Sequence, residues 1–525
     1  MNIVNIKKTL VQLFVVAILA SGCAKKFDEY NTHPYNPQDK DLTEAERLGA
    51  LIPTLISTLH FSQENRNQHT EQFVFGQYGG YFATTNNWNG TNFGTFNPSL
   101  DWVEIPYKDI MTTFNSNYIK VKEVTNASGY IYAWANIIRV ASMLRVVDMY
   151  GPIPYSKIGL SNDDQVPFDS VQDIYIKMLE ELDNSIEVLN RFVLGSADYK
   201  NNPMAMYDDI YNGDFALWIK FANSLKMRMS MRLSNVDPDF AKAKFVEAHN
   251  NGPIVANTDN AFLTTEDNPY LKASVDWNDL AISATLSSYM NGYSDPRRSR
   301  YMTQITGATY RGVRTGIQSV NKTTYSNANN FSKPAFTKSS PLLIFNASEI
   351  AFLRAEAALK GWIPGGDATA KAFYEQGVNL SMSQHNVSIG SYLGSITPPA
   401  AYTYTSSTNI SIPNRITVSW DDFSASTNSK LEKIITQKWL ANFPAGAEAW
   451  ADHRRTGFPQ IFPAVNNLSS NSFIGSITNS YGRLVRRLTY PQSLYRTNND
   501  LVLSAISMLG GDDTGNTDLW WAKKN

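Results

Sequence analysis

Residues 130–154 read YIYAWANIIRVASMLRVVDMYGPIP, and this pattern decides the fold. Ile131, Trp134, Ile138, Ala141 and Leu144 recur at three- and four-residue spacing. An α-helix turns once in about 3.6 residues, so these side chains make one apolar face. Tyr150-Gly151-Pro152-Ile153-Pro154 then ends the helix, because proline cannot continue it. The same reading extends outward. The spacing predicts helices over Tyr107–Val124, Tyr130–Met149 and Val171–Leu189, the last with Ile174, Met178, Leu182 and Ile186 on one side. It predicts another over Phe215–Leu233, where Phe215, Trp218, Ala222, Leu225 and Met229 share a face. Asp214 is placed to cap that helix and Pro238 follows it.

Further along, Asn346–Lys360 and Asp367–Ser383 form a helix pair joined by Gly361-Trp362-Ile363-Pro364-Gly365-Gly366, and a last helix is predicted over Lys430–Asn442. Helical pattern also begins at Glu44, with Thr43 as cap and Glu46 as its reciprocal partner. The helices come in pairs with tight connections. Ala355, Ala357 and Ala358 are small residues where a partner helix can approach. This resembles tetratricopeptide helical pairs, which stack to bury a shared core, although the spacing is not a clean period of about 34 residues. The expected fold is mainly α: a scaffold of tetratricopeptide-like pairs over about 44–73, 104–240, 346–385 and 430–460. Between these lie stretches rich in Gly, Asn, Ser, Thr and aromatics, about 74–103, 250–345 and 386–428. They read as an irregular, loop-rich lobe with short strands; within it helical periodicity is weak except near Asp279–Met290. The tail from Arg483 reads as irregular.

The chain starts differently. Lys7 and Lys8 precede Leu10–Cys23, LVQLFVVAILASGC, a short apolar run ending in Ala20, Ser21 and Gly22. A charged start, an apolar core and a small-residue exit make a secretory signal peptide over residues 1–22. The run is shorter than the roughly 20 residues a membrane-spanning helix needs. Cys23 is the one cysteine of the chain and stands where cleavage would make it the N-terminus. The pattern resembles a bacterial lipoprotein signal with Cys23 as the lipid attachment site. It departs from the usual form in having Ala20 three residues before the cysteine, with Leu19 one place early. The alternative is an ordinary cleaved signal with an incidental cysteine. Residues 23–43 are polar, carry Pro34 and Pro37, and read as an extended tether. Asp28 and Glu29 fit either a solvated leader or the acidic export address of surface lipoproteins in some Gram-negative bacteria.

Composition narrows the classes. Of 525 residues, 43% are hydrophobic and 18% charged, which suits a folded chain. Removing residues 1–22 takes two lysines and no acid, leaving 44 basic and 47 acidic side chains. That balance does not suggest a nucleic acid partner. A single cysteine permits no disulfide within the chain, so packing must hold the fold. Aromatics reach 12%, which suits both large cores and surfaces that stack on flat ligands.

An ordered set of motifs carries a resemblance over nearly all the mature chain. It comprises Phe27-Asp28-Glu29-Tyr30-Asn31-Thr32-His33-Pro34; Asp148-Met149-Tyr150-Gly151-Pro152-Ile153-Pro154-Tyr155-Ser156; and Trp218-Ile219-Lys220-Phe221-Ala222-Asn223-Ser224-Leu225-Lys226-Met227-Arg228. Then come Gln437-Lys438-Trp439, Glu448-Ala449-Trp450, Arg454-Arg455-Thr456-Gly457, Arg486-Arg487-Leu488-Thr489-Tyr490-Pro491, and Gly510-Gly511-Asp512-Asp513 before Trp520-Trp521. This set resembles the SusD/RagB family of nutrient-binding outer-membrane lipoproteins, in its SusD-like branch. One departure is His453, where the family usually has an aromatic. The resemblance implies a SusD-like domain over residues 44–525, in which tetratricopeptide-like helices carry the irregular, loop-rich lobe as a ligand-binding lobe, and a surface-exposed, lipid-anchored place at the outer membrane. It implies a TonB-dependent, SusC-like barrel transporter as partner. It implies binding and delivery of oligosaccharides, or in RagB-type members peptides, without catalysis. Trp218 and Trp439 lie on apolar helix faces and read as core. Arg454, Arg455, Arg486 and Arg487 read as helix caps or partners of acids.

The residues themselves carry no catalytic signature. The histidines His33, His60, His69, His249, His385 and His453 show no metal-ligand spacing, and there is no nucleophile elbow or phosphate loop. The doublets Asp163-Asp164, Glu180-Glu181, Asp208-Asp209 and Asp421-Asp422 are sequence neighbours. A glycosidase instead needs two carboxylates roughly 5–9.5 Å apart across a cleft. A surface glycoside hydrolase is therefore the remote alternative. No cofactor is expected, although Asp512, Asn516 and Asp518 offer oxygen ligands of the kind calcium takes. For the ligand, Asn86-Asn87-Trp88-Asn89 supplies a flat ring and short amides on one loop, and Trp88 has no periodic apolar neighbours. Tyr81 and Phe82 lie upstream. Trp277, Tyr310, Arg311 and Arg314 from the irregular lobe can complete the site, the arginines by paired hydrogen bonds. The alternative for each is a loop side chain folded back onto the core. Trp102 reads as core.

Overall fold

The computed structural model describes residues 42–160, 165–317, 322–422 and 426–523. Cys23, the signal peptide and the tether up to Asp41 lie outside the described residues, as does Asp163-Asp164. The chain divides into two units, Met1–Ala50 and Leu51–Asn525. In the first, helix Glu44–Gly49 opens with the expected capping box: the Thr43 hydroxyl accepts from Glu46 N–H, and the Glu46 carboxylate accepts from Thr43 N–H at 2.8 Å.

The second unit is built mainly of helices packed in two stacks. They are α1 (Leu100–Val124), α2 (Gly129–Tyr150), α3 (Val171–Gly195), α4 (Phe215–Arg232) and α5 (Pro238–Asn250), then α6 (Ala347–Leu359), α7 (Gly366–Gln384), α8 (Thr427–Ala441), α9 (Gly446–Thr456) and α10 (Asn499–Leu509). Helix α1 packs on α2, α2 on α3, α3 on α4 and α4 on α5. A second stack follows, in which α6 packs on α7 and α8 on both, and α6 meets α4 to join the two. Local chemistry sets the starts. Asp214 accepts from Ala216 N–H at 3.2 Å, Asp237 from Phe240 N–H at 3.3 Å with Pro238 in the first turn, and Asn346 from Glu349 N–H at 2.7 Å. Each satisfies a donor the helix cannot. Helix α2 ends at Gly151, whose φ of +92° suits glycine, and a Cβ there would stand 2.6 Å from Leu509 Cδ2.

Three two-stranded antiparallel ladders occur among the described residues: β1 (Phe82–Thr84) with β5 (Leu280–Ile282), β2 (Ile153–Pro154) with β3 (Phe168–Asp169), and β4 (Ala261–Leu263) with β6 (Leu342–Phe345). The mainly helical expectation holds, with differences of detail. Helix α1 begins at Leu100 rather than Tyr107, capped by Ser99 and carrying Pro106 inside. Residues 74–103 are less loop-like than their composition suggests, since a wide helical turn runs Gln68–Gly76 and β1 follows. The tail is not wholly irregular: Gln492–Thr497 and α10 are helical.

The motif residues converge inside this scaffold as a buried seam of charge. Arg232 pairs with both Asp148 and Glu448. Arg228 grips Glu349 through Nε and Nη2, each at 2.8 Å. Lys438 meets Asp452 at 2.8 Å, and Arg455 holds Glu356 at 2.6 and 2.8 Å. Burial opposes charge on Glu448, but Arg228, Arg232 and Lys438 hold its carboxyl below the ordinary value. Asp452 is likewise depressed against burial by Lys438 and Arg455. The remaining arginines do what the sequence suggested. Arg487 donates from Nε (3.1 Å) and Nη2 (2.6 Å) to Tyr150 O at the end of α2, and Arg486 pairs with Asp518. Trp218 and Trp439 are buried, with their indoles donating to Asp208 at 2.8 Å and to Gly79 O at 2.7 Å.

Candidate ligand-binding site

The β1–β5 ladder organises the lobe. Its register pairs Phe82 with Ile282, Ala83 with Ala281 and Thr84 with Leu280. Pairing runs on past the strands: Thr85 N–H donates to Asp279 O at 3.0 Å, and the Thr85 hydroxyl to Asn278 O at 2.6 Å. The ladder thus brings the Asn86–Asn89 loop beside the Trp277 turn, two segments far apart in sequence.

Asp279 is the hub of this junction. Its buried carboxylate accepts from the Asn86 amide at 3.1 Å, pairs with Lys322 Nζ at 2.7 Å and accepts from Gln68 at 3.4 Å. Asn86 in turn accepts from Trp88 N–H at 3.1 Å, closing a side-chain-to-backbone turn. The backbone beyond is strained, with φ of +39° at Trp88 and +60° at Asn89. A bulky side chain in the left-handed region costs about 1–3 kcal/mol, and such strain concentrates where function needs it. The result is a half-buried Trp88 ring and an exposed Asn89.

Trp88 has apolar neighbours after all, delivered by tertiary packing. Its ring stands edge-on to Phe73 at 4.8 Å and to Trp102 at 5.3 Å. Trp102 lies near-parallel to Phe73 at 5.5 Å and to Phe93 at 6.2 Å, and is itself half-buried rather than fully core. Trp277 is also half-buried, and its neighbour Asn278 accepts from Lys333 Nζ at 2.7 Å. Against the same small sheet, Ala83, Ala281, Val313 and Phe331 form a core covered in part by Ile317, Tyr325 and Tyr404. Tyr404 stands edge-on to Phe331 at 4.8 Å, and the Arg311 guanidinium lies over the Tyr404 ring at 5.3 Å.

Not every predicted site residue belongs here. Tyr81 is a correction: it is fully buried, stacks on Trp439 at 5.4 Å, and donates to Trp439 O at 2.5 Å, so no ligand reaches it. Phe82 is buried too, between Tyr270 and Phe443. Arg314 is a second correction. Its guanidinium is buried and donates to Thr408 O and Pro463 O, both at 2.8 Å, so it fastens loops. Tyr310 and Arg311 part company: Arg298 lies over the Tyr310 ring at 5.6 Å while Arg311 turns to Tyr404. Sequence reasoning missed Asp279, Lys322, Tyr325 and Tyr404. The tyrosines sit in Ser/Thr/Asn-rich stretches like that around Trp88, a signal that could have singled them out.

Several acids are committed elsewhere. Glu181 pairs with Arg139 at 2.8 Å, Asp208 accepts from Trp218 and from backbone N–H groups, and Asp422 pairs with Lys433 at 2.9 Å. Among the described residues no cluster of His, Cys, Asp or Glu could hold a metal ion. Asp518 is held by Arg483 at 2.9 Å and by Arg486, so calcium at Asp512, Asn516 and Asp518 would have to displace two guanidinium groups.

A family model described as SusD-like, Susd and RagB outer membrane lipoprotein, matches residues 29–522. The chain belongs to this family. Comparison with curated proteins gives no match. Among solved structures, a SusD homologue from Bacteroides thetaiotaomicron is 36% identical with a TM-score of 0.84, covering 91% of this chain and 99% of its own. One from Bacteroides uniformis is 39% identical with a TM-score of 0.82 over the same shares, 91% and 99%. A chitin-binding SusD homologue from Flavobacterium johnsoniae is 33% identical with a TM-score of 0.83, again over 91% and 99%. The family is one of outer-membrane lipoproteins, and no described helix of this SusD-like chain is long and apolar enough to cross a membrane.

Proposed function

We propose that this SusD-like lipoprotein binds an oligosaccharide at the rim built by Trp88, Asn86, Asn87, Asn89, Trp277 and Arg311, and passes it to a SusC-like TonB-dependent transporter. The observation that carries the reading is Trp88, a half-exposed ring held at φ +39° by an Asn86 turn that Asp279 fixes in place. Sugars present apolar ring faces and hydroxyl edges, and this rim offers aromatic faces beside amides and a guanidinium. The chitin-binding relative supports the carbohydrate class. Delivery rather than cleavage fits the acids, because Glu181, Asp208 and Asp422 are engaged in ion pairs or hydrogen bonds within the fold. In this reading Cys23 carries the lipid that holds the protein at the cell surface.

Affinity electrophoresis in glycan gels tests the rim: Trp88→Ala should run unretarded where the native protein is slowed. Equal mobility of the two in every glycan would remove the site, and retardation by peptide ligands instead would favour a RagB-type cargo. New reducing ends after incubation with glycans would overturn the non-catalytic reading. Cys23→Ser should move the protein from the membrane to the soluble fraction.

A further inference from the structure

A second cleft, of about 350 Å³, opens between β4, β6, the end of α7 and the α8–α9 connection, and shares no lining residue with the Trp88 rim. That size lies within the range of about 300–1,000 Å³ for small-molecule sites. Its wall is a series of near-parallel rings: Phe336 on Phe443 at 5.8 Å and 4°, then Phe443 on Tyr301 at 4.6 Å and 23°. Phe336 is half-buried while Phe443 and Tyr301 are buried, so Phe336 is the ring of this series that reaches the opening.

Hydrogen bonding fixes the polar side. The Tyr301 hydroxyl has one proton and donates it to Leu440 O at 2.8 Å. Towards His385 Nε2, at 3.2 Å, it can therefore only accept. His385 thus carries its proton on Nε2 and keeps Nδ1 as an acceptor on a ring that lines the cleft. Burial, with the guanidinium groups of Arg297 and Arg300 outweighing Asp295, pulls this imidazole down to about 4, so it is neutral at physiological pH. Arg300 and Asn386, both exposed, add donors at the mouth.

We propose that this cleft is a second saccharide site, taking one neutral sugar ring with its apolar face on Phe336 and a hydroxyl donating to His385 Nδ1. The proposal rests on the protein being a saccharide binder. Calorimetry with chito-, xylo- and gluco-oligosaccharides tests it on the whole mature chain. The native protein should show two sites, Trp88→Ala one, and Phe336→Ala the other. Affinity at the cleft should fall about tenfold or more in Phe336→Ala. A second readout needs no cleft variant: in ¹⁵N-histidine-labelled Trp88→Ala, the His385 Nδ1 resonance should move on adding the sugar that binds. A single site that vanishes in Trp88→Ala, with a stationary His385 signal, would overturn the cleft and leave the rim standing. Silence of the native protein towards all three series would bring down both.

Discussion

The scaffold seam and the lobe rim draw on the same residue types and use them in opposite ways. In the seam, Trp439 and Trp218 are buried with their indoles bonded, and Arg232 and Arg455 are buried against carboxylates. At the rim, Trp88, Trp102 and Trp277 are half-buried, and Arg311 lies over a half-buried tyrosine. A buried charge must be paired, because leaving water costs several kcal/mol per ion. A half-buried ring or guanidinium keeps capacity for a partner from outside. The difference separates what holds the molecule from what can serve a ligand, and residue type alone does not.

The widest break between the two regions should come from Arg455→Ala. It strands the Glu356 carboxylate in the interior and should cost about 3–5 kcal/mol in chemical denaturation. Folded Arg455→Ala should still bind glycan, so a selective loss of binding would blur the division. Trp88→Ala should do the reverse, weakening glycan binding by about 2 kcal/mol or more while the melting temperature falls only slightly, because the half-buried ring gives up two edge contacts and alanine keeps a Cβ at φ +39°. A large fall in melting temperature would recast Trp88 as structural.

Glu432 joins the two regions, since the Asn414 amide of the lobe reaches both its oxygens at 3.1 and 3.2 Å on α8. Burial pushes this carboxyl from 4.5 up to about 7, against Asn414 and Lys433, which favour the charge. The folded state therefore holds a proton that the unfolded chain releases first. Glu432 should lower stability as pH rises from about 4.5 to about 7, by at most about 1.4 kcal/mol per pH unit. Glu432→Gln should flatten that part of the profile, and an unchanged slope would refute the assignment. The smallest effect is expected from Asp279→Asn, which loses the Lys322 pair but keeps an acceptor for Asn86. Glycan binding should weaken by about 1 kcal/mol with stability nearly intact.

Much of this was legible in the chain. Apolar spacing found α2, α3, α4, α6 and α7 because each carries a continuous buried face, and caps such as Asp214 and Asn346 are local chemistry. It missed α5, α9 and α10. Helix α9 is dense in charged residues that are buried as ion pairs, which an apolar count reads as surface. The ordered motifs were sufficient for the family, and Trp218, Trp439, Arg454 and Arg455 among them are buried in the scaffold.

The sequence by itself determined a helical chain of the SusD-like family, because periodicity, capping and motif order are written along one strand of residues. Tertiary structure alone decided which aromatics face outward. Tyr81 lies seven residues before Trp88, yet one is sealed against Trp439 and the other stands at a rim. It alone made Asp279 a hub and Arg314 a fastener. The physical reason is that exposure and pairing depend on partners far away in sequence: Asp279 on Asn86, Tyr81 on Trp439, Arg314 on Pro463. No local pattern records which distant group will arrive.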